Sequence, residues 1–479
     1  MQHLVDIAVI VLYFVLILGA GYWGLRRART ADDFLVAGRR LGPFMYTGAL
    51  VAVILGGAST IGGVGLGYDY GISGMWLVVM IGLGVTALGA LLSTRLSRLG
   101  VYTVSEMLQQ RYGGGTRLVS ALIIAAYALM IAVTSTIAIG TVLDVVVGLT
   151  PQLAILLAGG VVVAYTVAGG MWSITLTDVA QFVIMTIGIF LALLPVVVVK
   201  AGGFSGMADA LPASYFDVTA IGGQTIFTYF LLFFFGLMIG QDIWQRVFTA
   251  RDARVARWGS VVAGGYCLFY GIAGALVGAA AKVLLPELQN SDNAFARVTT
   301  DVLPVGISGL VIAAAMAAVM STASAGMIAS STILATDVYG GFVQRGEYNR
   351  VRVNRIAILL VGVATLGISL AVSDIVGALT VAYDLLTGAL FVPIVGALFW
   401  RRATAIGALS SIVVSSIVVV VLLVVFGLLS NYPIIFGMLT SLVVFVVVSL
   451  LTPRPSAEDL DAWERRLRSD QPQEPDPAH

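Results

Sequence analysis

Two short stretches carry residues whose types and spacing could bind an ion. In AAAMAAVMSTASAGMIASST, Ala318, Ser321 and Thr322 stand at i, i+3 and i+4 and so share one helical face, with Ser324 three residues beyond Ser321. In VAVILGGASTIGGVGLGY, Gly56 and Gly57 precede Ala58, Ser59 and Thr60 in the middle of an apolar run. Hydroxyl and backbone carbonyl oxygens together suit a hard, weakly held monovalent cation such as Na+. A proton site would need a titratable group, and the Ala318–Thr322 patch has none. The competing reading is structural: such hydroxyls also bond back to their own helix or to a neighbouring one.

The elements that position these residues are transmembrane helices. The 479 residues are 59% hydrophobic and 11% charged, with a mean hydropathy of +1.01. A soluble domain carries about 25% charged residues to coat its surface. This chain has too few, so its apolar residues face lipid. A bilayer core needs about 20 apolar residues per helix. On that basis spans fall near 4–24, 44–69, 73–97, 117–147, 150–169, 173–199, 224–246, 256–282, 304–338, 353–373, 376–399, 404–427 and 432–451. The fold class is all-α integral membrane, one transporter-sized unit over 1–452 with a polar tail over 453–479. That tail reads as a short helix followed by disorder. VSEMLQQRY reads as a small amphipathic surface helix.

With thirteen spans, 23 of the 26 Lys and Arg fall on one side. They include Arg26, Arg27, Arg29, Arg95, Arg98, Arg111, Arg246, Arg257, Arg345, Arg401 and Arg468, whereas Lys200, Lys282 and Arg297 lie opposite. By the positive-inside rule the N-terminus is outside and the tail cytoplasmic, in the cell membrane. The arginines follow the first span, so it is not a cleavable signal. Cys267 alone cannot form a disulfide framework, and His3 and His479, at the two ends, leave no imidazole chemistry within the membrane. No constellation of an enzyme is present, nor any feature of nucleic-acid binding.

The glycines interrupt specific helices. A helix opened at Gly56-Gly57 frees carbonyls that hydrocarbon cannot satisfy, so such a segment persists only where it lines a cavity or binds an ion. Span seven, YFLLFFFGLMIGQDIW, carries Gly236 and Gly240 in the corresponding part. Spans two and seven are five apart, the spacing of two inverted five-helix repeats over 44–199 and 224–399. Paired interruptions of this kind point to a binding site between the halves. Asp178, Asp242, Asp337 and Asp384 lie within spans, where acidic residues are costly. Asp178, Asp242 and Asp337 stand near the basic side, where Asp242 could pair with a loop arginine and Asp337 could form a structural ion pair. Asp384 lies deeper, facing the substrate path or a helix break.

Several stretches in order resemble the solute:sodium symporter family: TADDFLVAGRRLGP, GGMWSITLTDVAQ, GQDIWQRVFTARD, AAVMSTASAGMIASSTILATDVYG and GALFVPIVGALFWRRAT. The likeness covers about residues 4–452. It implies a LeuT-type fold with one extra N-terminal helix and two after the repeats, and Na+-coupled symport of a small organic solute by alternating access. The family's principal sodium site, carried over by position, would use carbonyls of Ala52, Leu55 and Ala318 and hydroxyls of Ser321 and Thr322. Some relatives hold a second sodium with an aspartate matching Asp178 and hydroxyls matching Ser321, Ser324 and the next position, which here is Ala325. The substrate pocket would draw on Gly56, Gly57, Ser59, Thr60, Phe233, Gly236, Leu237 and Asp384. Sugar carriers place a Gln and a Glu where this chain has Ser59 and Ala58, and a Tyr-Trp gate where it has Gly236 and Leu237. The aspartate of proline carriers aligns with Ile54. A proton-coupled symporter of the same fold and a transporter-like sensor are the competing readings.

Overall fold

The computed structural model describes residues 2–25, 30–343, 349–372, 374–428 and 430–468. Arg26, Arg27, Arg29, Arg345, His479 and the end of the tail lie outside these ranges. The described chain is helical, with one isolated bridge between Leu41 and Ala250. Twelve helices organise it: α1 (Gln2–Leu25), α2 (Pro43–Ile54), α3 (Gly114–Val147), α4 (Pro151–Met185), α5 (Gln241–Thr249), α6 (Ala253–Leu284), α7 (Ile307–Ile333), α8 (Arg350–Ser369), α9 (Ile375–Phe399), α10 (Ala405–Phe426), α11 (Tyr432–Leu451) and α12 (Ala457–Arg468). Val104–Tyr112 forms the expected short helix.

Many starts are written in the sequence as caps. The side chains of Thr150, Asp252, Asn349, Asp374 and Thr404 accept from amides in the first turns of α4, α6, α8, α9 and α10. Each satisfies a donor that has no partner within its helix. The first turn of α7 is served from afar: Asp6 Oδ1 accepts from the amides of Gly306 and Gly309 at 2.9 and 2.8 Å.

Among the described residues ten continuous helices are long and apolar enough to cross a membrane, and Ala8–Ala20 and Pro43–Ile54 are shorter apolar segments. Two of the ten are too long for one crossing. Pro151–Lys200 runs 50 residues, about 75 Å if straight, against a hydrocarbon core of about 30 Å. The chain turns within it at Gly170 (φ 55°, ψ −147°), a conformation open to glycine alone. A Cβ there would also stand 2.7 Å from the Phe34 carbonyl oxygen. Ala58–Leu96 turns likewise at Gly71.

Helix α7 is the hub, packed against α1, α3, α4 and α8. Its most apolar stretch is 100% buried, whereas those of α10 and α11 are 28% buried. Their exposed Val424, Val425 and Leu451 present the apolar faces a bilayer covers. The small side chains of α7 allow its close approach: a Cβ on Gly326 would sit 2.6 Å from the Ala128 carbonyl oxygen.

Opposite the arginine-rich side, the loop Ser291–Asn293 rests on the outer half of span two, its Ser291 carbonyl 3.1 Å from where a Cβ on Gly65 would be. Asp292 in this loop is half-buried. Burial first, then the nearby carboxylates of Asp374 and Asp69, push its pKa up to about 6.

Two outcomes follow from these contacts. Gly170→Ala should lower the unfolding free energy of the purified protein by about 1–3 kcal/mol, read as a fall in melting temperature. At Asp292 the folded protein holds a proton more tightly than the unfolded chain does. Its contribution is complete below 3.8 and lost as pH rises through about 6. Asp292→Asn should therefore raise the melting temperature at about pH 8 and lose that advantage on acidification to about pH 4; a pH-independent difference would refute this assignment.

Candidate functional site

Helix α2 ends at Ile54, and the chain breaks at Leu55 and Gly56 before a π-helical turn, Ala58–Gly62, resumes. Four carbonyls at its end lose their partners four residues on. Each accepts a hydroxyl instead. Ser321 donates to Ala52 O at 2.7 Å and Thr322 to Val53 O at 2.6 Å. Ser59 donates to Ile54 O at 3.1 Å and Thr60 to Leu55 O at 3.3 Å. Ser321 also reaches Ala318 O at 2.8 Å, and Thr322 the same oxygen at 3.4 Å. The polar face of α7 is thus set against the opened end of α2. Gly56 makes this approach feasible, since a Cβ there would lie 2.6 Å from Thr322 Cβ.

Ala52, Ala318, Ser321 and Thr322 therefore come together as one oxygen cluster. Thr322 bonds to the carbonyl next to Ala52, and the Leu55 carbonyl is engaged by Thr60, not by α7. Hydroxyls that donate to carbonyls keep lone pairs on the same oxygens. A small cation entering between them would gather both sets of oxygens, which is the chemistry of a hard monovalent ion.

Beside the cluster lies a small cavity of about 30 Å³, enough for a single water. Gly56, Gly57, Ser59 and Thr322 form one wall, and Thr134, Ser135, Leu237, Asp242 and Tyr383 face them. The Ser135 hydroxyl is buried without a partner. Asp242 accepts from the Tyr127 hydroxyl at 2.9 Å, and the Tyr383 hydroxyl lies 3.2 Å from that same Tyr127 oxygen. Span seven opens at Met238–Gly240, just before α5. The freed carbonyl of Met238 is taken by the indole of Trp244 at 2.8 Å. Asp242 stands in the first turn of α5, where the helix dipole favours a negative charge.

Other candidates take different places. Thr60 pairs with Tyr270 at 2.8 Å. Phe233 packs edge-on against Tyr383, as Gly236 does through its missing Cβ, one layer behind the cavity. Asp384 is buried with both oxygens unpartnered and does not line the cavity; its neighbour Tyr383 does. Asp178 is paired with Arg246 at 2.9 Å, both fully buried, and Ser324 donates to Ser321 O at 2.9 Å. Asp337 forms a structural pair with Arg117 at 2.8 Å and accepts from Ser105 at 2.6 Å.

Pairing with a loop arginine is one place the sequence leaves open for Asp242; it faces the cavity and takes a tyrosine hydroxyl instead. The loop after span seven carries its arginines onward from Arg246, and Arg246 is held by Asp178. Thr134, Ser135 and Tyr383 were missed. The hydroxyl run Thr134-Ser135-Thr136 in the middle of an apolar span was the available signal, whereas Tyr383 had none.

Residues 34–415 match the model of the sodium:solute symporter family. The sodium/glucose cotransporter of Vibrio parahaemolyticus is 26% identical, over 86% of this chain and 83% of that protein. The sodium/pantothenate symporter of Escherichia coli strain K12 is 26% identical, over 91% and 95%. The proline transporter PutP of Bacillus subtilis strain 168 is 26% identical, over 92% and 97%. Among solved structures, a Na+-coupled sialic acid symporter in a substrate-bound outward-open state superposes with a TM-score of 0.83 at 20% identity, covering 94% of this chain and 98% of that one. MhsT in complex with L-phenylalanine gives 0.58 at 14% identity, over 85% and 98%. A hydroxyl-lined helix break, the membrane architecture around it and a family match across most of the sequence converge: this chain is a multi-pass membrane transporter belonging to the sodium:solute symporter family.

Proposed function

We propose that the chain couples Na+ entry to uptake of a small organic solute, with the ion held between the end of α2 and the face of α7. One observation carries this reading: Thr322 both closes the oxygen cluster, through Val53 O, and lines the cavity. An ion at the cluster therefore acts on the wall that a solute would touch. Na+ replaces hydroxyl-to-carbonyl bonds with oxygen–cation contacts and draws α2 onto α7. Coupling then requires that ion and solute favour the same arrangement of the two helices, since tight binding alone shifts no equilibrium. The ion set comprises Ala52, Ala318, Ser321 and Thr322, with Leu55 joining once Thr60 releases its carbonyl.

The reading takes one sodium per cycle. The Arg246 guanidinium already neutralises Asp178, and position 325 is alanine where a third hydroxyl would be needed. The bends at Gly71 and Gly170 support thirteen crossings, with 44–199 and 224–399 as repeats. The arginine distribution supports an N-terminus outside and a cytoplasmic tail.

The cavity also narrows the solute. Asp242 is the only charged side chain among the described residues lining it, and no basic residue faces it. A solute with a cationic or donor-rich nitrogen fits that wall. The backbone amides of the resumed helix at Gly57 and Ala58 offer donors for its acceptor end.

Radiolabelled uptake into proteoliposomes under a sodium jump at fixed pH tests the coupling. Ser321→Ala or Thr322→Ala should each raise the Na+ concentration for half-maximal uptake about tenfold, the worth of one lost oxygen contact. Uptake that ignores the sodium gradient in the unaltered protein would sink the mechanism. Asp242→Asn should weaken competition by amine-bearing solutes about 10–100-fold while sparing their neutral isosteres. Equal competition by both classes in the unaltered protein would remove the aspartate's role.

A further inference from the structure

A concavity at the arginine-rich end of the bundle shares no lining residue with the cavity at the helix breaks and lies between α12 and the ends of the membrane helices. Its volume is about 620 Å³. Six arginines line it: Arg95 and Arg98 after span three, Arg111 on the short helix Val104–Tyr112, Arg257 in the first turns of α6, Arg401 after α9, and Arg468 on α12. Glu464 is the one carboxylate among the lining residues, and it is shared between Arg401 at 3.2 Å and Arg468 at 3.5 Å.

The arginines come from five separate segments, so the fold and not a local run of sequence assembles them. Several are held in place by backbone. Arg95 donates to Leu398 O at 3.3 Å and lies 4.3 Å over the Phe399 ring. Arg111 donates to Ala403 O at 3.2 Å, and its Nε is buried with no hydrogen-bond partner. The roof is pinned as well: Trp463 of α12 is buried and donates to Ala397 O at 2.9 Å.

Two further features identify the occupant. Arginine presents a planar fork that matches phosphate oxygens two at a time, so six guanidinium groups lining one space, with Glu464 among them and Asp461 3.7 Å from Arg401, suit a phosphate. The apolar wall is open to the bilayer: Leu91 is 59% and Phe399 51% exposed, and both also line this space. A soluble phosphate has no use for such a wall; an acyl chain does. Basic pockets at the ends of membrane helices bind anionic headgroups for this reason.

We propose that this cavity is a binding site for an anionic phospholipid, its headgroup phosphate among the six arginines, its acyl chain along Leu91 and Phe399, and α12 as its roof. Occupancy would hold the tail helix against the bundle by offsetting the repulsion among the guanidinium groups.

Native mass spectrometry and thermal unfolding of the full-length protein, in detergent doped with phosphatidylglycerol or phosphatidylcholine at fixed ionic strength, test this. The expected result is selective retention of phosphatidylglycerol and a melting temperature raised by it alone. Arg257→Gln and Arg468→Gln, both at exposed positions, should each weaken that lipid's apparent affinity about fivefold. Trp463→Ala, which unpins the roof, should weaken it too while sodium-driven uptake continues. Equal retention of both lipids, or affinity unchanged in the two arginine variants, would overturn the proposal. So would inorganic phosphate giving the same protection as phosphatidylglycerol, because the arginines would then serve a soluble anion.

Discussion

A helix that stops in the middle of a membrane leaves four carbonyls with nothing to bond to, and the architecture of this protein turns on how they are answered. At the end of α2 those oxygens belong to Ala52, Val53, Ile54 and Leu55, and four hydroxyls meet them in register: Ser321, Thr322, Ser59 and Thr60. Leaving such groups unmet in hydrocarbon costs several kcal/mol each. Two of the four are therefore met only while α7 lies against the break. The burial of α7, its small side chains and the glycine at position 56 are consequences of that demand. So is the usefulness of the site, because hydroxyls that bond to carbonyls can yield those oxygens to a cation.

The second break obeys the same constraint by other means. At Met238–Gly240 the Trp244 indole takes the freed carbonyl, and the resumed helix α5 places Asp242 at the cavity. One interruption presents neutral hydroxyl and carbonyl oxygens, and the other a carboxylate. Both line a space of about one water's volume. The buried pair of Asp178 and Arg246 lies next to this machinery without entering it. Breaking such a pair from one side strands a charge, so it acts as a rigid brace.

The ends of the bundle are held by a different economy. Asp6 caps α7 from α1, and Asp292 closes over span two amid carboxylates. On the arginine-rich side α12 docks through one tryptophan and a shared glutamate. These contacts tie peripheral helices and loops to the elements that carry the two breaks. They place titratable and charged groups where changes in pH or lipid can act on them.

Much of this was legible from the sequence alone. Low charge and long apolar runs determined the membrane class. Glycine pairs inside such runs marked the breaks, and the spacing of Ala318, Ser321 and Thr322 marked the polar face that meets the first break, because an i, i+3, i+4 pattern is local helix geometry. The tertiary structure alone decided that Asp242 reaches the cavity while Asp384 does not. It likewise decided that Arg246 belongs to Asp178, and that Trp463 brings the tail helix down beside arginines from five segments. In a soluble helix the polar face betrays which side is buried. Here lipid and protein interior are both apolar, so the sequence of a span records that it is in the membrane but not which of its faces meets a neighbour.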